Sequence, residues 1–124
     1  DIITNHAAQR APAVWHGGAA AVLARDEYGV DDGEILSAIA NHTTGRPGMT
    51  KLDKIIYMAD MASYERSYPE AEQLRRDVLA DLERGTIEGL GMSIGWLKQQ
   101  GKPVDSQSLE AYAELRGQYY GGRR

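Results

Sequence analysis

Helix stop signals recur along this 124-residue chain at intervals of one short helix, and strand-like alternation of apolar and polar residues is absent. Gly29, Gly45 and Gly101 each follow an apolar helical repeat, and Pro47 and Gly48 interrupt the chain in a short loop. The pattern predicts an all-α protein with about six helices and short connections. Such a chain must bury one apolar stripe from each helix in a common core.

Individual boundaries follow from residues that start or stop helices. Thr50 can cap a helix that runs to about Ser63. Pro69 fits the first turn of the next helix. Gly85 is predicted to end that helix, and Thr86 to cap the one that follows.

Composition narrows the class of protein. The chain is 42% hydrophobic and 26% charged, as expected of one globular domain, which we place at residues 1–118, with 119–124 as a flexible tail. A net charge of −4 argues against a general nucleic-acid-binding surface. No apolar run approaches the roughly 18–20 residues needed to span a membrane. Since cysteine is absent, the sequence fits a reducing compartment, and we predict a cytoplasmic protein that binds neither nucleic acid nor membranes.

Asp60 lies in an otherwise apolar run of eight residues, 55–62, within a predicted helix. Burying an ionised carboxylate costs several kcal/mol or more unless a counterion or dense hydrogen bonding compensates. We therefore expect Asp60 to meet either a metal ion or a basic side chain, for which Arg46, Lys54 and Arg66 are the candidates.

Two histidines extend this set. His42 ends an apolar helix face, where the helix dipole alone could favour it, and His16 follows Trp15 in a segment of small residues, where an ordinary packed or exposed histidine is the alternative. Together with Asp60 they are ligand types expected for Fe, Mn, Zn or Mg. A metal would compensate Asp60 and activate water near neutral pH, while Arg46 suits phosphate oxygens. The spacing thus indicates a metal-dependent phosphohydrolase.

The stretch from residue 15 to residue 60, WHGGAAAVLARDEYGVDDGEILSAIANHTTGRPGMTKLDKIIYMAD, resembles the second half of the YqeK family of HD-domain phosphohydrolases. The matching pieces are WHG, NHTTGRPGM and DKIIYMAD, and the later KPVDSQSLEAYAEL is similar to that family's ending. The resemblance covers about residues 1–115. It implies an HD-like helical bundle that splits diadenosine tetraphosphate symmetrically into two ADP.

The resemblance also implies roles for particular residues. The implied metal ligands are His16, His42 and Asp60, the implied catalytic cations Arg46 and Lys54, and the implied substrate contacts Arg46, Lys54 and Arg66. A metal-bound water or hydroxide would attack phosphorus, and the cations would stabilise charge on the phosphoryl oxygens. In the complete domain the metal is expected to be a pair of iron ions, although Mn, Zn or Mg would also suit these ligands.

Two departures from the family pattern affect this expectation. Ser63 and Tyr64 stand where the family usually has Glu and Pro, at the rim of the implied site. The chain also contains no His-Asp dipeptide, so half of the family's ligand set is missing. We therefore expect the C-terminal part of a longer domain, without its N-terminal helices and inactive alone. Its exposed apolar surface would pair with the missing N-terminal segment or with a second copy.

Two other readings stay open. A degenerate HD fold could bind a nucleotide or a partner without catalysis, with Arg46, Lys54 and Arg66 holding the nucleotide in the absence of metal. A purely structural helical domain would need only an ion pair at Asp60. Metal content separates these readings from the enzyme.

Overall fold

The computed structural model describes residues 15–63 and 68–121, with side chains from Ala19 onward. This part of the chain forms six helices and no strand, which confirms the all-α prediction. The helices are α1 (Trp15–Tyr28), α2 (Gly33–Asn41), α3 (Lys51–Met61), α4 (Ala71–Ala80), α5 (Leu82–Gln99) and α6 (Ser106–Tyr120). None of these helices is both long enough and apolar enough to form a membrane-spanning segment.

Side chains cap the starts of α2 and α3, and the cap of α3 is the predicted Thr50. The Asp32 carboxylate caps α2 by accepting from the backbone N–H groups of Glu34 and Ile35. At α3, Thr50 and Asp53 form a capping box, in which Thr50 Oγ1 accepts from the Asp53 N–H at 3.1 Å and Asp53 Oδ2 accepts from the Thr50 N–H at 2.9 Å. Such caps contribute about 0.5–2 kcal/mol each.

The junction of α4 and α5 lies earlier than predicted. Asp81 caps α5 by accepting from the Arg84 backbone N–H at 3.1 Å, so Gly85 and Thr86 are buried positions inside α5 rather than a stop and a cap. The Thr86 hydroxyl donates to the Leu82 carbonyl at 2.7 Å, one turn back in the same helix. The predicted boundary was wrong because Gly85 serves close packing between helices rather than helix termination.

The hydrophobic core is built mainly from α3, α5 and α6, with α4 packed along α5. Its buried members are Met49, Tyr57, Met58, Ala62, Leu74, Ile87, Leu90, Ala111 and Leu115. Met58 and Leu90 retain 1% and 0% of their accessible surface. The inward direction of Tyr57 and Met58 therefore fixes the rotation of α3 about its axis.

The structure overturns the expectation of a buried Asp60, because this side chain is exposed. The buried residues of α3 are Asp53, Lys54, Tyr57 and Met58. Asp60 is exposed in the last turn of α3, although 3.6 residues per turn place it within about 20° of the buried Asp53 around the helix axis. Ile55 and Ile56 retain 43% and 37% of their surface. The apolar run is thus only partly in the core. The buried carboxylate of this helix is Asp53, which is 2% exposed.

The last helix continues to Tyr120, inside the range 119–124 that was predicted as tail. The Tyr119 hydroxyl donates to the Asp81 carboxylate at 2.5 Å, which ties the end of α6 to the start of α5. The division into a domain of residues 1–118 and a tail stays a prediction.

An apolar groove of about 540 Å³ opens between α3 and α4. Its lining includes Ile55, Met58, Ala62, Val78, Leu79 and Leu82. Leu79 at its rim is 83% exposed, so a large apolar side chain stands beside an unfilled apolar groove.

Candidate functional site

His42 and Asp60 line one cavity of about 180 Å³, so the structure brings together two of the three predicted metal ligands. The remaining lining residues are Thr43, Tyr57, Met61, Tyr68 and Trp96. His42 is the C-cap of α2, and Asp60 lies in the last turn of α3. The ends of two neighbouring helices therefore deliver an imidazole and a carboxylate to the same small volume.

The His42 ring has a defined tautomer. Its Nδ1 lies 2.7 Å from the Ile39 carbonyl oxygen. Because a carbonyl can only accept, Nδ1 carries the hydrogen, and Nε2 is the nitrogen with a lone pair in the neutral ring. A histidine that binds a metal usually donates its other ring N–H in this way, to a backbone carbonyl or a carboxylate.

Tyr57 lies beneath Asp60 and is only 2% exposed. Burial raises the pKa of its hydroxyl well above the ordinary value, a hydrogen bond with Ser93 opposes this, and the charge of Asp60 raises the pKa further. Tyr57 therefore stays neutral at physiological pH. It adds a polar hydroxyl to the cavity without adding negative charge beside Asp60.

An aromatic pair forms another wall of the cavity. The rings of Tyr68 and Trp96 meet edge to face, with centroids 5.1 Å apart and an interplanar angle of 75°. The Tyr68 hydroxyl donates to the Met61 carbonyl at 2.6 Å, which fixes the ring against the end of α3. Sequence reasoning missed Tyr57, Tyr68 and Trp96 as site residues, since they come from three separate segments and no local motif links them.

The chemical types of the donor atoms in this cavity fit a divalent cation. Imidazole nitrogen and carboxylate oxygen suit Fe, Mn, Zn and Mg in differing degrees. Among the described side chains, no group of three or more His, Cys, Asp or Glu is close enough to hold a metal, so His42 and Asp60 supply two donors. His16 lies in α1, which packs on α2, but its side chain is outside the described part of the chain.

Arg46 contacts protein groups through all three guanidinium nitrogens. Its Nε donates to Ser37 Oγ at 2.8 Å, one Nη donates to Asp53 Oδ2 at 2.8 Å, and the other donates to the Pro47 carbonyl at 3.1 Å. The buried carboxylate of Asp53 thus has the arginine counterion that was considered for Asp60.

Lys54 is also paired. Its ammonium donates to both carboxylate oxygens of Glu83, at 2.8 and 2.7 Å, with 11% of the Lys54 side chain and 47% of the Glu83 side chain exposed. Arg66 lies outside the described residues. The roles of Arg46, Lys54 and Arg66 at a polyphosphate stay predictions.

The sequence is similar to curated proteins named symmetrical bis(5'-nucleosyl)-tetraphosphatase. The protein of Bacillus subtilis is 36% identical over 107 residues, which are 86% of this chain and 58% of that protein. The protein of Halalkalibacterium halodurans is 36% identical over 100 residues, which are 81% and 54% of the two chains. This chain therefore spans a little over half the length of these relatives. No family model matches the sequence.

A solved structure shares the fold. The crystal structure of a predicted HD superfamily hydrolase involved in NAD metabolism, from Clostridium acetobutylicum, superposes with a TM-score of 0.81 at 29% sequence identity. The match covers 94% of this chain and 65% of that chain. The prediction of an HD-domain-like helical bundle is confirmed.

Proposed function

This chain belongs to the YqeK-like family of HD-domain phosphohydrolases, and from that premise we propose that the protein carrying it hydrolyses dinucleoside polyphosphates in the cytoplasm. The proposed reaction splits diadenosine tetraphosphate symmetrically into two ADP. Its support is the name shared by the relatives and the cavity lined by both His42 and Asp60.

The proposed cofactor is a divalent or iron-type metal, held by His42 Nε2 and an Asp60 carboxylate oxygen, with His16 as a further ligand. Two iron ions are proposed for the complete domain, with Mn, Zn or Mg as the other candidates. Bound there, a metal of this type polarises phosphoryl oxygens and activates water near neutral pH. The observation that carries the proposal is the hydrogen bond from His42 Nδ1 to the Ile39 carbonyl, which fixes the tautomer that a ligand needs.

The other cavity residues have proposed roles that need no charge of their own. The ring pair of Tyr68 and Trp96 limits water at one wall, and the neutral Tyr57 hydroxyl lets Asp60 remain the negative group beside it. Less water lowers the effective dielectric around a bound phosphate and strengthens its interactions with the site. Lys54 and Arg66 are the proposed contacts to the polyphosphate.

We expect His42→Ala and Asp60→Asn to lower kcat/KM for diadenosine tetraphosphate by at least about 100-fold in the full-length protein, because each removes a ligand of the activating metal. ADP formation is followed by chromatography, and bound metal by mass spectrometry. Asp31→Asn is the matched control, since Asp31 is exposed and lies outside the cavity. Unchanged ADP formation in Asp60→Asn, or ATP and AMP as products, would refute the proposal. Nucleotide binding without turnover or metal would favour the binding module.

The partner prediction also stays open to test. A second copy, or an N-terminal segment such as the resemblance implies, is expected to cover the apolar groove beside Leu79, the most exposed large apolar residue described. In light scattering of this chain at increasing concentration, Leu79→Glu should raise the dimer dissociation constant by about tenfold or more. Ala113→Glu, an exposed change on α6, is the control. A wild-type chain that remains monomeric at all concentrations would rule out the homodimer.

A further inference from the structure

The loop between α2 and α3, residues 42–50, contains two glycines and an arginine, yet its arginine is turned towards the protein. Arg46 joins Ser37 of α2 to Asp53 of α3, and the Ser37 hydroxyl in turn donates to Asp53 Oδ1 at 3.2 Å. These three side chains form a closed triangle of contacts. Asp53 belongs also to the capping box of α3, so the triangle is fixed to the helix backbone.

The same loop is anchored from α6. Ser108 Oγ donates to the Thr44 carbonyl at 2.7 Å, in a buried position, and the Glu114 carboxylate accepts from the Gly48 N–H at 2.7 Å. Gly48 has φ of +71°, a conformation that strains other residues and turns its N–H towards Glu114. Three helices thus hold a loop whose first residue is His42.

The order of contacts along the two helices connects the triangle to the candidate site. Ser37 of α2 contacts Asp53 of α3. His42 comes five residues after Ser37, Asp60 comes seven residues after Asp53, and these two later residues line the same cavity. Each helix residue advances about 1.5 Å along its axis. A shift of α2 relative to α3 at Ser37 and Asp53 would therefore also change the separation of His42 and Asp60.

We propose that Arg46 is a positioning residue, which fixes the register of α2 against α3 and thereby the distance between His42 and Asp60. The inference rests on the proposed function, in which these two side chains hold one metal. It differs from the implied role of Arg46 at the phosphates, because Arg46 would have to leave Asp53 without its counterion to reach a substrate. A buried carboxylate without a counterion is strongly unfavourable.

The test uses Arg46→Lys, which keeps the charge but cannot make the three directed contacts. We expect its Mn²⁺ affinity, measured by calorimetry, to fall by about 10–100-fold, as is typical when the groups that orient metal ligands are lost. At saturating Mn²⁺, KM of the full-length variant for diadenosine tetraphosphate should stay within about threefold of the wild-type value. Ser37→Ala should weaken Mn²⁺ binding in the same direction without leaving a charge buried. Arg76→Lys, an exposed pair with Glu72, is the control and should change neither value.

A second measurement separates this inference from the proposed function. In the metal-free chain, the NMR resonances of the His42 ring should shift in Arg46→Lys and Ser37→Ala but not in Arg76→Lys. Unshifted ring resonances with an unchanged Mn²⁺ affinity would overturn the positioning role. A raised KM with unchanged Mn²⁺ affinity would assign Arg46 to the substrate. A full-length wild-type protein that neither binds Mn²⁺ nor hydrolyses the substrate would refute the proposed function, while the ring resonances would still decide the role of Arg46.

Discussion

Gly85→Ala should destabilise the fold by about 1–3 kcal/mol or more, although alanine is the better helix former. A Cβ at Gly85 would lie 2.6 Å from Val78 Cγ2, 2.7 Å from Val78 Cα and 3.0 Å from Val78 N. Two of these atoms belong to the backbone of α4, so a rotamer change cannot relieve the contact. The helices must separate, and the core beneath them then loses contact area.

Gly95→Ala is the matched control for this expectation. Gly95 lies in the same helix, is exposed, and would place its Cβ with no atom within 4 Å. Here only helix propensity acts, and the free energy of unfolding should rise by about 0.5–1 kcal/mol. Urea denaturation followed by circular dichroism measures both variants. Equal stabilities of Gly85→Ala and Gly95→Ala would show that α4 and α5 do not approach each other this closely.

The same glycine explains where helix prediction from sequence failed. Local signals gave the correct caps where the deciding contacts are local, as at Thr50 with Asp53. The residues around Gly85 do not show whether this glycine ends a helix or lets two helices pack closely. The atoms that require a glycine there belong to Val78, in another helix. Asp81, which does cap α5, follows α4 without a glycine or proline between them.

The candidate site was likewise predictable from the sequence only in part. The sequence pointed to His42 and Asp60, and both line the cavity, but the stated reason for Asp60 was wrong because the side chain is exposed. The buried carboxylate is Asp53, and its sequence signal was its place three residues after the capping Thr50. Its partner Arg46 could not be predicted, because a loop must fold back to bring the two together.

Glu83→Ala should cost about 2–3 kcal/mol of folding free energy, whereas Lys54→Met should change it by less than about 1 kcal/mol. The two variants remove opposite ends of one ion pair, but the remaining charge differs in its surroundings. Glu83→Ala leaves an ammonium whose side chain is 11% exposed, while Lys54→Met leaves a carboxylate whose side chain is 47% exposed and can be hydrated. The expected cost is below the 3–5 kcal/mol known for removing one partner of a fully buried pair, because Glu83 is near the surface.

This asymmetry makes Lys54→Met a clean test of the predicted substrate contact. Urea denaturation should first show that Lys54→Met is about as stable as the wild type. For Glu83→Ala the control is Glu110→Ala, a change at an exposed glutamate. If Lys54 contacts the polyphosphate, kcat/KM of the folded, full-length variant for diadenosine tetraphosphate should fall by about tenfold or more, because charge on the transferred phosphoryl oxygens loses a cation. Unchanged kinetics in a folded Lys54→Met protein would confine Lys54 to its pair with Glu83 and leave Arg66 as the remaining predicted cation at the phosphates.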